Sequence, residues 1–362
     1  MRLYYFITII RKHKPFIVIL LLFSTAFITR ILRVSHPPHI ISDEIYYVVA
    51  ARSIIYTGND PNLVHPPLGK YLIGLGILIF GDNSFGWRII GAFLGSIIAP
   101  LVYLIGTKIW HEKVGILSGV FILIDPLTYA MSCIAMLDIY LTFFITCAFL
   151  AFIYQRYIIS AVFFGLASSV KFVAIFSICG VVLYLIYIRE WKLIRWFIII
   201  PIVVFFATVL PIMLVEGIGK WVAYTLFYLV WSFGLNVEHP FASRPEGWLL
   251  NIKPFPFYLN TCKLIAAANP YLYLFAIPTS IYVIYLAIKN RENKVNFSEM
   301  LPVLWFITQY GFFFLLPRTT QFIFYLLPSV PAILLLTARG TELSVEKLFK
   351  KNRKVVNLDI LL

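Results

Sequence analysis

Charge is scarce in this chain. Only 13% of its 362 residues are Asp, Glu, Lys or Arg, about half the share found in soluble globular domains. Hydrophobic residues make up 61%, too many for one water-facing core. Lipid must therefore solvate much of the surface. Cysteine is scarce too: Cys133, Cys147, Cys179 and Cys262 show no spacing that would suit a zinc site or a disulfide framework. There is neither an internal repeat nor a low-complexity linker, which argues for a single membrane domain over residues 1–362.

What is abundant is long apolar runs. A membrane-spanning helix needs about 20 mostly apolar residues. Such runs fall near 15–34, 86–108, 114–132, 136–155, 157–171, 172–188, 196–215, 267–288, 300–316 and 321–338. The pattern predicts an all-α polytopic membrane protein with about ten spans, because backbone groups in lipid must bond internally. The first run lacks a small-residue cleavage site and reads as a retained helix. Two polar segments, about 35–85 and 216–266, stand out as large loops on one face.

The net charge of +14 raises nucleic acid as a partner, but its placement argues against that. In the ten-span arrangement the other face holds about 19 of the 30 Lys and Arg against about 7 acids. That is the positive-inside pattern, with basic residues at anionic lipid headgroups. It places both termini in the cytoplasm and the large loops outside. Membrane lipids, not nucleic acid, are the expected partners.

The first loop opens on a Pro-rich turn, Ser35-His36-Pro37-Pro38-His39. Ser42 is positioned to cap a helix through about Tyr56, lying at the membrane surface, with Asp43 and Glu44 in its first turn. Adjacent helix positions diverge, so the two carboxylates cannot serve one atom, and Asp43 is the better candidate base. His65-Pro66-Pro67-Leu68-Gly69-Lys70 follows, a rigid turn with one imidazole and one ammonium. The apolar stretch 71–80 is short and reads as interfacial or re-entrant.

Three cations sit at or within apolar runs: Arg88, Lys171 and Arg318. Two readings fit each. One is snorkelling to headgroups. The other is a charge-assisted bond to a lipid phosphate. Asp125 and Asp138 are costly intramembrane acids. Asp138 suits a substrate hydroxyl or a cation such as Arg88. Asp125 precedes Pro126 and suits freed backbone donors. In the second loop, His239, Phe241, Arg244 and Trp248 combine rings with charge, and the two aromatics suit either sugar stacking or interfacial anchoring. No nucleotide sugar is available on the outer face, so an enzyme there must use a donor already in the membrane.

In order along residues 40–331, these segments resemble the dolichyl-phosphate-mannose–protein mannosyltransferases of the C-type glycosyltransferase superfamily. The pieces are Asp43-Glu44 with Tyr46, His65 to Lys70, Phe85-Gly86-Trp87-Arg88, Ser132 to Asp138, Gly165 to Lys171, His239 to Arg244 with Trp248, and Arg318 to Pro331. Each piece is weak alone; the ordered set is specific. The resemblance implies a C-type helical bundle and inverting transfer of a hexose, mannose foremost. The donor would be a polyprenyl phosphate sugar and the acceptor a hydroxyl, chiefly of protein Ser or Thr. It implies Asp43 and Glu44 as catalytic. Arg88, Lys171 and Arg318 would contact the donor phosphate, and His65, Lys70, Asp138, His239, Arg244 and Trp248 the substrates. No cofactor is expected, and a divalent ion is left open. A prokaryotic plasma membrane is the expected location. Cys133 departs from the family, which usually has Arg there. The rival readings are transfer to a lipid or glycan acceptor and, from another class, a transporter.

Overall fold

The computed structural model describes residues 2–260, 263–289 and 297–359. Cys262 and most of the basic segment 289–299 lie outside the described residues. The chain starts with α1 (Arg2–Val34), then two short helices of the first large loop, α2 (Glu44–Thr57) and α3 (Leu68–Phe80). There follow α4 (Ser84–Ile109), α5 (Glu112–Ile124), α6 (Pro126–Ser132), α7 (Leu137–Ile153), α8 (Tyr157–Ser168), α9 (Ala174–Tyr187), α10 (Trp191–Glu216) and α11 (Ile218–Phe233). The second large loop carries a hairpin of β1 (Phe255–Tyr258) and β2 (Leu264–Ala266), paired antiparallel. The chain then returns through α12 (Pro270–Tyr273), α13 (Ala276–Lys289), α14 (Met300–Leu315), a 3-10 turn at Ile323–Ser329, and α15 (Val330–Asp359).

All ten apolar runs lie on helices, but not all are long enough to cross a bilayer unaided. Five are, His13–Val34, Ser84–Ile109, Trp191–Glu216, Pro270–Lys289 and Ile323–Leu348, with α5 and α6 a sixth if counted as one span bent by 59°. The runs at 136–155, 157–171, 172–188 and 300–316 form helices of 17, 12, 14 and 16 residues. By length and composition the expected count of about ten spans is thus not confirmed. The polar stretch Ser168–Phe172 ends α8 early, and there the Ser169 carbonyl accepts the backbone N–H of Leu68.

The bend between α5 and α6 is a capped break. Pro126 forbids a continuous helix, and Asp125 accepts from the backbone N–H and hydroxyl of Thr128, both at 2.7 Å, and from the Tyr273 hydroxyl. The core runs through α4, α7, the 3-10 turn and the first turns of α15, where Val330 and the apolar residues of 332–336 are buried. Close approach of α3 and α4 needs glycine: a Cβ at Gly76 would lie 2.2 Å from the Gly86 carbonyl oxygen. Away from the large loops, the helices are tied by ion pairs of Lys14 with Glu112 and of Arg339 with Glu299 and Glu342, and by a contact of His111 Nε2 with Glu342 at 2.6 Å.

Ser42 is not a helix cap. It takes a left-handed φ of 49°, and α2 starts at Glu44 with Asp43 in the cap position making no side-chain cap bond. The Asp43 carboxyl is thereby left for other partners.

Candidate active site

The first loop packs on α4 and α7 and bonds through Leu68 to Ser169 just past α8, and brings Asp43 and His65 next to the charged residues of the bundle. A cavity of about 160 Å³ opens there, with His65, Asp138, Lys171, Arg318 and Tyr325 at its polar end. Its other walls are apolar, from Phe172, Ile175 and Phe176 near α9, Leu229 of α11, and Phe313 and Leu316 beside α14.

Lys171 is in this site because α8 stops at Ser168 and the chain turns before α9. Its Nζ donates to both carboxylate oxygens of Asp138, at 2.9 and 2.8 Å. Asp138 thus pairs with Lys171, not with Arg88. Tyr325 is a platform for two cations: Lys171 Nζ lies 5.5 Å and Arg318 Cζ 5.4 Å from its ring centre. Phe313 stacks on that ring at 5.7 Å. Arg318 Nε donates to the Thr320 carbonyl and Nη2 to the Tyr325 hydroxyl, leaving Nη1 without a partner among the described residues. From the sequence alone Tyr325 carries no role of its own. Its position seven residues after Arg318 was the available signal.

Asp43 lies near enough for the charges of Lys171, Asp138 and His239 to act on its carboxyl. Burial lifts that carboxyl above the ordinary carboxylate range, against the downward pull of Lys171. Burial, reinforced by Lys171, Lys70 and Arg318, holds His65 well below the usual imidazole range. His65 is therefore held in its neutral form, which can donate or accept a hydrogen bond but carries no charge.

Several expected site residues are committed elsewhere. Glu44 points away from Asp43 and is fully buried against Arg88, which donates from Nε at 2.6 Å and from Nη2 at 2.7 Å. Glu44 also accepts from the backbone N–H groups of Ile41 and Ala135. Arg88 spends its remaining donors on the carbonyls of Val34, Pro37 and His39. Neither Glu44 as a catalytic carboxylate nor Arg88 as a phosphate ligand fits this geometry: the pair fastens the first loop to α4 and to the α6–α7 turn.

Lys70 is likewise no substrate contact. Fully buried, it pairs with Asp60 and donates to the carbonyls of Asn62 at 2.6 Å and His65 at 2.7 Å. That fixes the turn carrying His65. Burial lifts the Asp60 carboxyl while Lys70 lowers it, so loss of the lysine would raise that carboxyl further. Lys70→Met is expected to loosen residues 59–67 by roughly 1–3 kcal/mol, read as faster amide exchange there. Unchanged exchange would mean the turn holds without it.

Trp248 is completely buried, its Nε1 donating to the Ser243 hydroxyl at 3.0 Å, so it cannot stack on a sugar. Arg244 is exposed beside Glu246 at 3.7 Å, outside the cavity. His239 lies on a neighbouring depression, with its ring stacked on Phe255. Cys133 is buried near Arg30, a cation of α1 that also approaches the Tyr129 ring at 5.9 Å. A positive charge thus reaches the position-133 neighbourhood from a different helix.

The family model for dolichyl-phosphate-mannose-protein mannosyltransferase matches residues 20–237, well over half of the chain. The chain belongs to that family. Its similarity to curated members is local. It is 37% identical over 128 residues to the polyprenol-phosphate-mannose–protein mannosyltransferase of Mycolicibacterium smegmatis, covering 33% of this chain and 25% of that relative.

The fold is shared with solved structures of low sequence identity. ArnT from Cupriavidus metallidurans, in a crystal structure bound to undecaprenyl phosphate, matches with a TM-score of 0.64 at 15% identity, over 89% of this chain and 60% of that one. The oligosaccharyltransferase of Archaeoglobus fulgidus in its apo form matches with a TM-score of 0.60 at 15% identity, over 95% of this chain and 52% of that one. This mannosyltransferase-family chain is a multi-pass integral membrane protein.

Proposed function

We propose that the chain transfers a hexose, mannose foremost, from a polyprenyl-phosphate donor to a hydroxyl of a protein Ser or Thr. The observation that carries this is a cavity with apolar walls on one side and Lys171 and Arg318 at its end, with Asp43 close by. A lipid phosphate ester has that polarity: a tail for the apolar wall and an anion for the cations. The proposal treats the chain as one membrane domain, in a prokaryotic plasma membrane, with both termini cytoplasmic and the large loops outside.

The acceptor oxygen attacks the anomeric carbon as the sugar–phosphate C–O bond breaks. Asp43 takes the hydroxyl proton, and the lipid phosphate departs with the bonding electrons. Lys171 and Arg318 stabilise that departing charge. Asp138 sets the position of Lys171, Tyr325 supports both cations, and neutral His65 holds a sugar hydroxyl. In this scheme Arg88, Glu44, Lys70 and Trp248 build the scaffold, while Arg244 has no part in the cavity.

The test is transfer of labelled mannose from polyprenyl-phosphate mannose to a Ser/Thr-rich peptide by purified protein. Label in the peptide is the expected result. Label in lipid or glycan would replace the acceptor, and label moved across a vesicle membrane without covalent transfer would replace the enzyme reading with a transporter.

A further inference from the structure

The second large loop holds a feature that this scheme leaves unused. Residues 236–242 fold against Thr319 and Lys253 to form an open depression of about 610 Å³. Amide, carboxylate, imidazole, ammonium and hydroxyl groups line it, from Asn236, Glu238, His239, Lys253 and Thr319. It has none of the Phe and Leu walls of the Lys171 cavity.

The two hollows stand back to back. Arg318 lines the cavity, and the next residue, Thr319, lines the depression. The partition is built, not loose. Asn236 Oδ1 accepts from the backbone N–H and hydroxyl of Thr319, both at 2.9 Å. The Thr320 hydroxyl accepts from the N–H of Val237 and donates to its carbonyl, and the Ser243 N–H donates to the Gln321 carbonyl at 2.8 Å. Rings continue the connection: His239 meets Phe322 edge-on at 5.0 Å, and Phe322 meets Tyr325 at 5.9 Å. Asp43 feels Lys171 and Asp138 from one hollow and His239 from the other.

We propose that this depression is the acceptor site, seating an extended polar stretch of polypeptide so that one hydroxyl passes His239 to reach Asp43. The proposal rests on the donor reading of the cavity. A lipid acceptor would find only the small apolar surfaces of Val237, Pro240 and Ala242 here, interrupted by Glu238, His239 and Lys253, and no continuous wall for its tail. A glycan would want a free aromatic face in the lining; the face of His239 is taken by Phe255, exposed Phe241 does not line the depression, and Trp248 is buried. An extended peptide needs what is present: exposed hydrogen-bonding groups along an open trough, with Glu238 and Lys253 to fix its direction. The base then stands between a buried donor and an acceptor that enters from water.

Glu238→Trp fills the trough, and Lys253→Glu reverses a charge on its wall. Both positions are exposed, so both variants should fold. The expected result is a rise of about tenfold or more in KM for a Ser/Thr-rich peptide, with KM for polyprenyl-phosphate mannose unmoved. Binding of the same peptide, fluorescently labelled and read without donor, should weaken by a similar factor. That measurement stands if the donor reading fails, and hydrolysis of the donor by wild type without peptide tests that reading separately. Peptide KM and peptide affinity unchanged in both variants would overturn the acceptor site. So would wild-type transfer to a soluble oligosaccharide that the same substitutions impair, with no peptide binding.

Discussion

Asp43→Asn is expected to lower transfer by about 10²–10⁴-fold, the range that general-base catalysis contributes. The substitution is close to isosteric, and Asp43 makes no side-chain cap bond, so α2 should start where it does now. Its carbonyl still accepts from the N–H groups of Tyr46 and Tyr47. The loss should therefore fall on kcat, with the protein folded and donor KM little changed. pH dependence gives a second readout. Burial raises the Asp43 carboxyl, and only its deprotonated form accepts a proton, so activity should fall on acidification above the ordinary carboxylate range. Lys171 works against that rise. Lys171→Met should move the acid limb to still higher pH, besides weakening donor binding. A folded Asp43→Asn enzyme with near wild-type kcat would refute the base assignment, and a limb unmoved by Lys171→Met would show that the pH dependence arises elsewhere.

The same sequence stretch contains two carboxylates of opposite fate. That adjacent positions diverge was enough to say that Asp43 and Glu44 do different work. It could not say which one faces Arg88, because that depends on how α2 lies across α4 and the Ala135 turn. The helical bundle was legible because apolar runs report burial in lipid or protein directly. Span lengths were less so: near Lys171 hydropathy stays high while Ser169 and Lys171 draw the backbone into a turn. Among the cations, Arg88, Lys70, Lys171 and Arg318 all look alike in sequence, each a charge beside an apolar run. What separates them is the number of acceptors that close around each. Arg88 meets five bonds and Lys70 three, whereas Arg318 keeps a nitrogen unpaired among the described residues. Those acceptors are mostly backbone carbonyls, supplied by any residue type, so they leave no mark in the sequence. Trp248 is the same case with a ring: an indole fits a sugar or a core equally well until the fold buries it.

The Glu44–Arg88 pair carries the other large expected effect, on stability and not on chemistry. Arg88→Leu leaves a buried carboxylate without its cation, held only by the N–H groups of Ile41 and Ala135, and takes the guanidinium donors from three carbonyls; removing one partner of a buried pair costs about 3–5 kcal/mol. Arg88→Lys should rescue little: an ammonium offers three donors as a point charge, too few for five acceptor contacts spread around a planar fork. Glu44→Gln should also destabilise, because its amide NH₂ would confront donors of Arg88 or the backbone N–H of Ile41 or Ala135. The usual rescue, replacing both charges by apolar groups, is expected to fail here. Glu44→Leu with Arg88→Leu removes the buried charges but still orphans the carbonyls of Val34, Pro37 and His39 and the N–H groups of Ile41 and Ala135. Thermal inactivation in detergent, followed by monodispersity on a sizing column, measures all four variants. If the double Leu variant were as stable as wild type, the pair would be a simple ion pair. If it is as poor as Arg88→Leu, the pair is the hub through which the first loop, and Asp43 with it, is held against the bundle.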